Sequence, residues 1–281
     1  MSIIFVDKPK GITSFDVCYK LRKALNTKHI GHSGTLDPNA SGVMVIASDK
    51  DTKVLQFLKK DTKEYIGTCT LGIKTDTLDI EGKVLEKIDN YKVPTKEELN
   101  NIFNKFLGNS KQKPPMFSAI RHNGKRLYDL ARENKEVEVE ERDIEIFNLE
   151  LLDIKDNTFK FKCLVSSGTY IRVLLEDILK ELNTIGVLSD LVRTKSGNVS
   201  LDMCDKLEDV IDGKYKSYSS YSILKDLYYE YKVDNVDDIM NGKPIIDSNL
   251  NEEYILITNN NEAIAIYKKE KDKYTCVRGL F

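Results

Sequence analysis

Short apolar segments recur along the chain, and most of them have the pattern of β-strands. Their apolar residues either alternate with polar ones or run without interruption. The segments are residues 3–6, 65–71, 144–154, 158–165, 254–257, 263–267 and 274–277. Asp156 and Asn157 stand between the third and the fourth segment and are typical turn residues, so these two segments are predicted to form a β-hairpin.

Helical spacing of apolar residues occurs in fewer places. A first helix is predicted to begin at Thr13 or Ser14 and to end at Leu25, with apolar residues three or four positions apart. Residues 95–98 have the sequence of a capping box and Gly108 is a typical stop, so a second helix is predicted between them. Two shorter predictions are a helix over 54–58 and a strand end followed by a helix over 170–182.

The order of these elements predicts an α+β fold, because strands and helices do not alternate as they do in a doubly wound sheet. Residues 111–124 are rich in proline and polar residues and are predicted to form an ordered loop. Residues 212–221 are rich in Gly, Ser, Lys and Tyr, which favours a linker. The chain is therefore predicted to contain a large domain over 1–212 and a small β-rich module over 222–281.

Composition is that of an ordinary globular protein, with 281 residues, 41% hydrophobic and 31% charged. No apolar run approaches the length of a membrane span, and the run at 3–6 is too short for a signal peptide. The five cysteines are scattered without a Cys-x-x-Cys pair, and only three histidines accompany them. We therefore expect a cytoplasmic protein in a reducing compartment, with no metal site and no membrane segment.

Charge is distributed unevenly, although the net charge is only −2. Residues 1–60 carry ten Lys or Arg against five Asp or Glu, and residues 99–128 carry six basic residues and no acid. Residues 199–281 carry eleven basic against sixteen acidic residues. A basic protein is the usual RNA binder, but an uneven distribution can also steer a polyanion to one face.

Residues 31–42, with the sequence GHSGTLDPNASG, are the richest in candidate chemistry. Glycines allow positive φ angles and close approach of another molecule. Pro38 biases Asp37 toward an extended backbone and is itself restricted. An Asp-Pro pair alone is typical of a turn, but the whole segment predicts a carboxylate held on a rigid elbow, suited to a nucleophile or a base.

Four other short motifs occur in order along the chain, DKPKGITS at 7–14, KEY at 63–65, GTYIR at 168–172 and LVRT at 191–194. Together with GHSGTLDP, they resemble the motifs of the TruB-type tRNA pseudouridine synthases over about residues 3–210. Three small departures occur, at Ser33, Asn39 and Val192. The resemblance implies a mixed, mainly antiparallel catalytic domain of the pseudouridine synthase type, with no cofactor.

The activity implied by the resemblance is isomerisation of the T-loop uridine of tRNA, at position 55, to pseudouridine. Asp37 matches the essential aspartate of the family. Three roles stay open for it: it could attack the sugar, attack the ring or remove a proton from the sugar. Arg172 is implied to pair with this aspartate, and Tyr65 to pack on the target base and to assist proton transfer from C5. Tyr170 and Leu191 are implied to line the base pocket.

Further positions are implied to bind the RNA. The target base must leave its stack to reach an enzyme group, and His32 resembles the residue that fills the vacated space. Residues 112–119 and the basic residues after them resemble a thumb segment, about 109–142, that closes over the T-arm, with contacts from Lys113, Arg121, Lys125 and Arg126. The module at 222–281 is implied to be PUA-like, and the enzyme to act as a monomer without an obligate protein partner.

Three other functions are compatible with parts of the sequence. One is an RNA-binding protein or tRNA-folding chaperone whose catalysis is secondary. The intact Asp37, Tyr65 and Arg172 argue against an inactive enzyme, although an added chaperone role stays open. A guide-RNA-dependent relative that modifies ribosomal RNA would carry larger basic extensions than this chain has. A phosphate-binding glycine loop is disfavoured because no Lys-Ser or Lys-Thr follows Gly34 and because the spacing is not that of a dinucleotide fold.

Overall fold

A computed structural model describes residues 2–58, 62–133, 135 and 137–281. Asn134 and Glu136 of the predicted thumb segment, and residues 1 and 59–61 of the predicted large domain, lie outside the described residues. The chain divides into two compact units. We name the first the terminal unit (Met1–Leu36, Met44–Lys59 and Asp202–Phe281) and the second the central unit (Asp37–Val43 and Lys60–Leu201).

Eighteen strands and seven α-helices are present in the described part of the chain. The strands are β1 (Ile3–Lys8), β2 (Ile30–His32), β3 (Ala40–Ser48), β4 (Lys63–Leu71), β5 (Ile73–Thr75), β6 (Val84–Lys87), β7 (Gly108–Gln112), β8 (Arg121–His122), β9 (Lys125–Arg126), β10 (Arg142–Lys155), β11 (Thr158–Val165), β12 (Gly186–Ser196), β13 (Val199–Ser200), β14 (Asp205–Lys206), β15 (Tyr229–Lys232), β16 (Tyr254–Asn259), β17 (Glu262–Glu270) and β18 (Lys273–Gly279). The helices are α1 (Ser14–Ala24), α2 (Lys96–Lys105), α3 (Leu127–Arg132), α4 (Ile171–Glu181), α5 (Leu207–Ile211), α6 (Ser220–Leu224) and α7 (Asp237–Met240). Two 3-10 helices lie at Asp49–Leu58 and Leu201–Met203.

The central unit is built on a mainly antiparallel sheet. β12 pairs antiparallel with β4, and the order continues through β11 and β10 to β7, all antiparallel. The first residues of β3 pair with β12 in parallel, with Leu191 opposite Ala40. The hairpin of β10 and β11 confirms the prediction, and its turn places Asp156 at a φ of 51°. The expected α+β class with mainly antiparallel strands is confirmed.

Aromatic packing holds α2 against this sheet. The helix begins with the predicted capping box, in which Thr95 and Glu98 each accept a hydrogen bond from the other's backbone N–H. Its buried face presents Phe103 to Phe159 and Phe161, with ring centroids about 6.5 and 6.4 Å apart. Such edge and tilted contacts fill a core without polar atoms, so the amphipathic pattern of residues 96–105 is sufficient to fix the helix on the sheet.

In the terminal unit, α1 begins where the sequence predicts it. Thr13 caps the helix and forms a reciprocal capping box with Asp16. The buried side chains are Ser14, Val17, Cys18 and Leu21. The Ser14 hydroxyl accepts a hydrogen bond from the Leu36 N–H (2.9 Å) and donates one to the Leu36 carbonyl (3.1 Å). The first turn of α1 is therefore bonded to the residue that precedes Asp37 in the chain.

The C-terminal part of the terminal unit contains a four-stranded sheet in the order β15, β16, β17, β18. The three predicted strands at its centre and edge are confirmed, and successive residues of β16 and β17 are buried, so both faces of the sheet are covered there. The strand β15, which pairs with β16 in parallel, was not predicted, because its four residues alternate tyrosine with charge over too short a run to stand out. The buried cluster beneath the sheet consists of Ile239, Leu250, Ile255, Ile257, Ala265, Tyr267 and Tyr274.

Three local predictions differ from the structure. The helix expected at 54–58 is part of the longer 3-10 helix. The loop expected over 111–124 contains the end of β7 and the first strand of a short hairpin of β8 and β9, whose turn has Gly124 at a φ of 85°. The linker expected at 212–221 is bonded to β1, since Tyr218 and Ile3 exchange backbone hydrogen bonds of 2.8 and 3.0 Å.

Two of the differences have an identifiable physical cause. A 3-10 turn and an α-turn bury the same apolar face over one or two turns, so a short amphipathic segment does not distinguish them. The backbone pairing of Tyr218 is accompanied by stacking of its ring on Phe5, with centroids 4.3 Å apart, and composition gives no signal for such a contact.

In the described residues, none of the helices has the length and apolar character needed to cross a membrane.

Candidate active site

Asp37 lies in the short loop that leads into β3. Its carbonyl accepts a hydrogen bond from the Ala40 N–H (3.1 Å), which closes a tight turn around Pro38. Its side chain is 40% exposed, so solvent or a substrate can reach the carboxylate. The loop thus presents one accessible carboxylate on a restricted turn, as the sequence predicts.

Arg172 makes a bidentate salt bridge to Asp37. The Nε atom lies 2.9 Å from Oδ2, and the Nη2 atom donates to Oδ1 at 3.2 Å. The guanidinium is 5% exposed, whereas the carboxylate faces solvent. A bidentate pair fixes the plane of the carboxylate as well as its position, because both oxygens are held by one rigid fork.

Two backbone carbonyls hold the same guanidinium. Nη1 donates to the Thr77 carbonyl at 2.9 Å, and Nη2 donates to the Phe117 carbonyl at 2.9 Å. Three separate segments of the central unit therefore converge on one side chain. Arg172 itself lies in the first turn of α4, and Tyr170 is the residue that precedes the helix. The helix expected within 170–182 is confirmed, whereas the strand end expected at its start is absent, since β11 ends at Val165.

A strained turn supports the Thr77 carbonyl. The next residue, Leu78, has a φ of 65°, a conformation that costs a leucine about 1–2 kcal/mol. Two backbone hydrogen bonds, one from the Leu188 N–H to the Leu78 carbonyl and one from the Ile80 N–H to the Leu188 carbonyl, are 3.1 Å each and hold the turn in place. Because such strain persists only where the surroundings enforce it, the turn is part of the geometry that positions Arg172.

Close contact between β3 and β12 sets the position of the loop after Asp37. Gly42 has a φ of 105°, and a Cβ atom added there would lie 2.2 Å from the Arg193 carbonyl oxygen. Only glycine permits this approach. The Arg193 side chain is buried, and its Nε donates to the Val43 carbonyl at 2.8 Å. The close approach of the β12 backbone therefore explains why the GHSGTLDPNASG segment ends in a glycine.

Tyr65 is buried in β4, opposite Arg193 of β12. Burial raises the pKa of its hydroxyl, and a hydrogen bond with the Arg193 guanidinium opposes this rise only in part. The negative charge of Asp37 is close enough to add to the rise. The hydroxyl therefore stays protonated at neutral pH, as a proton donor or a hydrogen-bond donor requires.

A buried glutamine holds the start of α4. The Gln112 side chain accepts a hydrogen bond from the Tyr170 N–H (2.7 Å) and donates one to the Tyr170 carbonyl (3.1 Å). Burial raises the pKa of the Tyr170 hydroxyl. The Gln112 contact fixes the backbone two residues before Arg172. The sequence gives no signal for it, because a single Gln in a basic segment is typical of an exposed surface position.

A shallow cleft in the central unit brings several of these side chains together. Its lining includes Asp37, Asp79, Arg172, Asp190 and Leu191. The enclosed volume of about 20 Å³ holds about one water molecule, so a nucleobase at Asp37 must lie at the open mouth or displace a wall residue. The two further carboxylates were not predicted from the sequence. The segment TDTLDIEG around Asp79 has three acids and reads as an ordinary turn.

The remaining predicted site residues lie elsewhere. His32 ends β2 in the terminal unit, with its backbone paired to Ile46. The four basic residues of the predicted thumb segment are exposed in the central unit and do not line the cleft. These residues are Lys113, Arg121, Lys125 and Arg126.

Comparisons with known proteins agree with this geometry. A family model described as "TruB family pseudouridylate synthase (N terminal domain)" matches residues 22–171. The tRNA pseudouridine synthase B of Fusobacterium nucleatum is 50% identical over 200 residues, which cover 71% of this chain and 69% of the relative. The enzyme of the same name from Francisella tularensis (strain WY96-3418) is 41% identical over 246 residues, covering 86% and 77% of the two chains.

Solved structures share the fold at lower identity. A chain from the crystal structure of a Cbf5-Nop10-Gar1 complex superposes with a TM-score of 0.76 and 23% identity, covering all of this chain and 85% of the other. A chain from the archaeal box H/ACA sRNP Nop10-Cbf5 complex gives a TM-score of 0.72 at 20% identity, covering 100% and 86% of the two chains. The matched motifs, the sequence identity and the shared fold together assign the chain to the TruB family of pseudouridylate synthases.

Proposed function

We propose that this protein is a tRNA pseudouridine synthase that isomerises the T-loop uridine at position 55. The bidentate pair of Asp37 and Arg172 carries the proposal, because it supplies one oriented and accessible carboxylate in a cleft. Membership of the family and the names of the relatives, tRNA pseudouridine synthase B, support the substrate.

The reaction needs few chemical groups. The N1–C1′ bond of the uridine breaks and a C5–C1′ bond forms, while C5 loses a proton and N1 gains one. Asp37 is proposed to act at the nucleoside as its single carboxylate reagent, oriented by Arg172. Tyr65 is proposed to pack on the base and to relay the C5 proton. Its oxygen accepts that proton as the hydroxyl proton passes on to solvent, so the side chain is protonated before and after the step.

Binding of the RNA is proposed to use Leu191 of the cleft and further residues outside it. Tyr170 and Leu191 contact the flipped base, and His32 fills the space that it leaves. The thumb segment, about residues 109–142, closes over the T-arm through its exposed cations. Its connection to the site is the Phe117 carbonyl, which accepts a hydrogen bond from Arg172.

The domain organisation is part of the same proposal. Residues 1–212 act as the catalytic domain, and residues 222–281 as a small PUA-like RNA-binding module. The enzyme acts as a monomer in the cytoplasm. Its five cysteines have free thiols, which suits a reducing compartment where tRNA is processed.

The test is tritium release from tRNA transcribed with uridine labelled at C5. We expect about one tritium released per tRNA, together with a single pseudouridine mapped to the T-loop. A control tRNA with cytidine at position 55 should release none. Equal release from the control would contradict the proposed position, and no release from the normal tRNA would contradict the activity.

A further inference from the structure

The outer face of α1 combines exposed aromatic rings with positive charge. Phe15 and Tyr19 are 62% and 67% exposed, which is unusual for large rings. They are four residues apart and therefore lie on the same face of the helix. The buried face of α1 uses other positions, so these two rings contribute nothing to its packing against the terminal unit.

Cations surround these rings. The Arg22 guanidinium lies over the Phe15 ring, with its central carbon 5.9 Å from the ring centroid. Lys20 and Lys23 are exposed on the same helix. The only acid of α1, Asp16, accepts hydrogen bonds from the Thr13 N–H and hydroxyl in the capping box. Asp16 lies on the same side of the helix and interacts with Lys20, so the face carries three cations against one carboxylate and is still positive.

Arg22 is held in a position suited to an anion. The Arg22 side chain is partly exposed beside the Phe15 ring, while its Nε is buried and has no hydrogen-bond partner among the described residues. A guanidinium carries further N–H donors on its two terminal nitrogens, and on a partly exposed side chain these can bind phosphate oxygens. Aromatic rings beside such cations stack on unpaired bases, whose π-faces any sequence provides.

We propose that the α1 face, defined as Phe15, Tyr19, Lys20, Arg22 and Lys23, binds unpaired nucleotides of the tRNA substrate. Bases stack on the two rings, and the adjoining phosphates bind the three cations. The inference rests on the function proposed above, because it takes tRNA as the partner. Charge complementarity favours RNA over an apolar protein surface, which would leave the three cations desolvated without partners.

The test replaces the rings and the cation separately. In the double variant Phe15→Gln, Tyr19→Gln, we expect the Kd for tRNA to rise about 5-fold to 100-fold, the range of one stacked base. The salt dependence should not change, because stacking releases no counterions. In Arg22→Gln, the slope of log K against log salt should fall by about 0.7–0.9. The single-turnover rate at saturating tRNA should stay at the wild-type value in both variants.

A matched control is Phe147→Gln, which removes another exposed ring, 44% exposed, between the acidic residues Glu145 and Glu150. This variant should bind tRNA as the wild type does. Binding within twofold of wild type by the double variant, or an equal loss in Phe147→Gln, would overturn the proposal. A third result would also overturn it. The wild type would sediment as a dimer, and the double variant would be a monomer that binds tRNA as tightly as the wild type does.

Failure of the proposed function gives a different result. If the wild type binds tRNA but forms no pseudouridine, the activity is wrong while the α1 face is still judged by the Kd of the variants. Thermal unfolding of each variant confirms its fold. Both rings are exposed and glutamine has a high helix propensity, so the unfolding temperature should not fall.

Discussion

The cleft at Asp37 and the basic segment at 111–126 both belong to the central unit, yet they hold their charges in opposite ways. In the cleft, one arginine is 5% exposed and is fixed by a carboxylate and two backbone carbonyls. In the basic segment, the cations are exposed, and Lys125 makes only a surface ion pair of 3.5 Å with Glu133. The difference indicates that chemistry requires a fixed geometry, whereas attraction of phosphates requires only charge.

The sharpest test of the fixed region is Asp37→Asn. Asparagine keeps the size of the side chain and removes its charge and nucleophilicity. We expect the rate of pseudouridine formation to fall by about 10⁴-fold or more, as for other essential groups, with tRNA binding nearly unchanged. Single-turnover tritium release and filter binding measure the two quantities. A near wild-type rate would show that the carboxylate does no chemistry.

Arg172→Ala tests whether the fixed cation acts through its geometry. The change removes four hydrogen bonds and leaves two carbonyls unpaired. We expect a loss of about 3 kcal/mol in the free energy of unfolding and about a 10³-fold loss in rate. Arg172→Lys is the matched variant, because it keeps the charge without the fork. If Arg172→Lys kept the full rate, a positive charge alone would be sufficient at this position. The contrast between the fixed cleft and the basic segment would then be wrong.

Tyr65→Phe removes one hydroxyl from the fixed region. We expect the rate to fall by about 10²-fold, the lower range for loss of a proton-transfer group. Burial raises the pKa of Tyr65 above its usual value near 10, so the wild-type rate should show no decline from its ionisation between pH 7 and 10. A falling limb in that window that disappears in the Phe variant would contradict this assignment.

Neutralising the basic segment tests the other side of the comparison and should have the smallest effect on rate. The variant replaces five basic residues of this segment by glutamine, namely Lys111, Lys113, Arg121, Lys125 and Arg126. The slope of log K for tRNA binding against log salt should fall by about 0.7–0.9 for each phosphate that the protein no longer neutralises. The rate at saturating tRNA should change by less than about threefold, since none of the five lines the cleft.

A matched control replaces five lysines that make surface ion pairs elsewhere. These are Lys92, Lys105, Lys180, Lys232 and Lys243. Their replacement changes the net charge by the same amount. An equal fall of the salt slope in the control would mean that total charge, and not the basic segment, governs binding.

Local signals explain which parts of the molecule the sequence predicts. The capping boxes at Thr13 and Thr95, and the turn at Asp156, depend on residues within a few positions of one another, and each is present. The pairing of Tyr218 with Ile3 joins two distant parts of the chain, and no local signal indicates it. The β8–β9 hairpin is local, with Arg121 opposite Arg126, but its Asn123-Gly124 turn was hidden in a segment that is rich in proline and polar residues. Composition therefore misassigned both segments.

The candidate site divides in the same way. Asp37 and Arg172 were found by motif, and their pairing followed from the resemblance. The Thr77 and Phe117 carbonyls could not be found, because every residue has a carbonyl and only the folded chain selects two of them. Asp79 was missed because a carboxylate in a turn is common, and Asp190 because a single acid within the strand β12 gives no signal of its own.

The bond between Ser14 and Leu36 has a consequence for the conformational entropy of the reactive loop. Leu36 is fixed on one side of Asp37, and Ala40 is fixed on the other by its pairing with Leu191. Only three residues remain between these points, and one of them is a proline with a restricted φ. Each backbone position ordered only on binding would cost about 1–2 kcal/mol, so a loop already ordered before the tRNA arrives leaves more of the interaction free energy for bending and flipping the RNA.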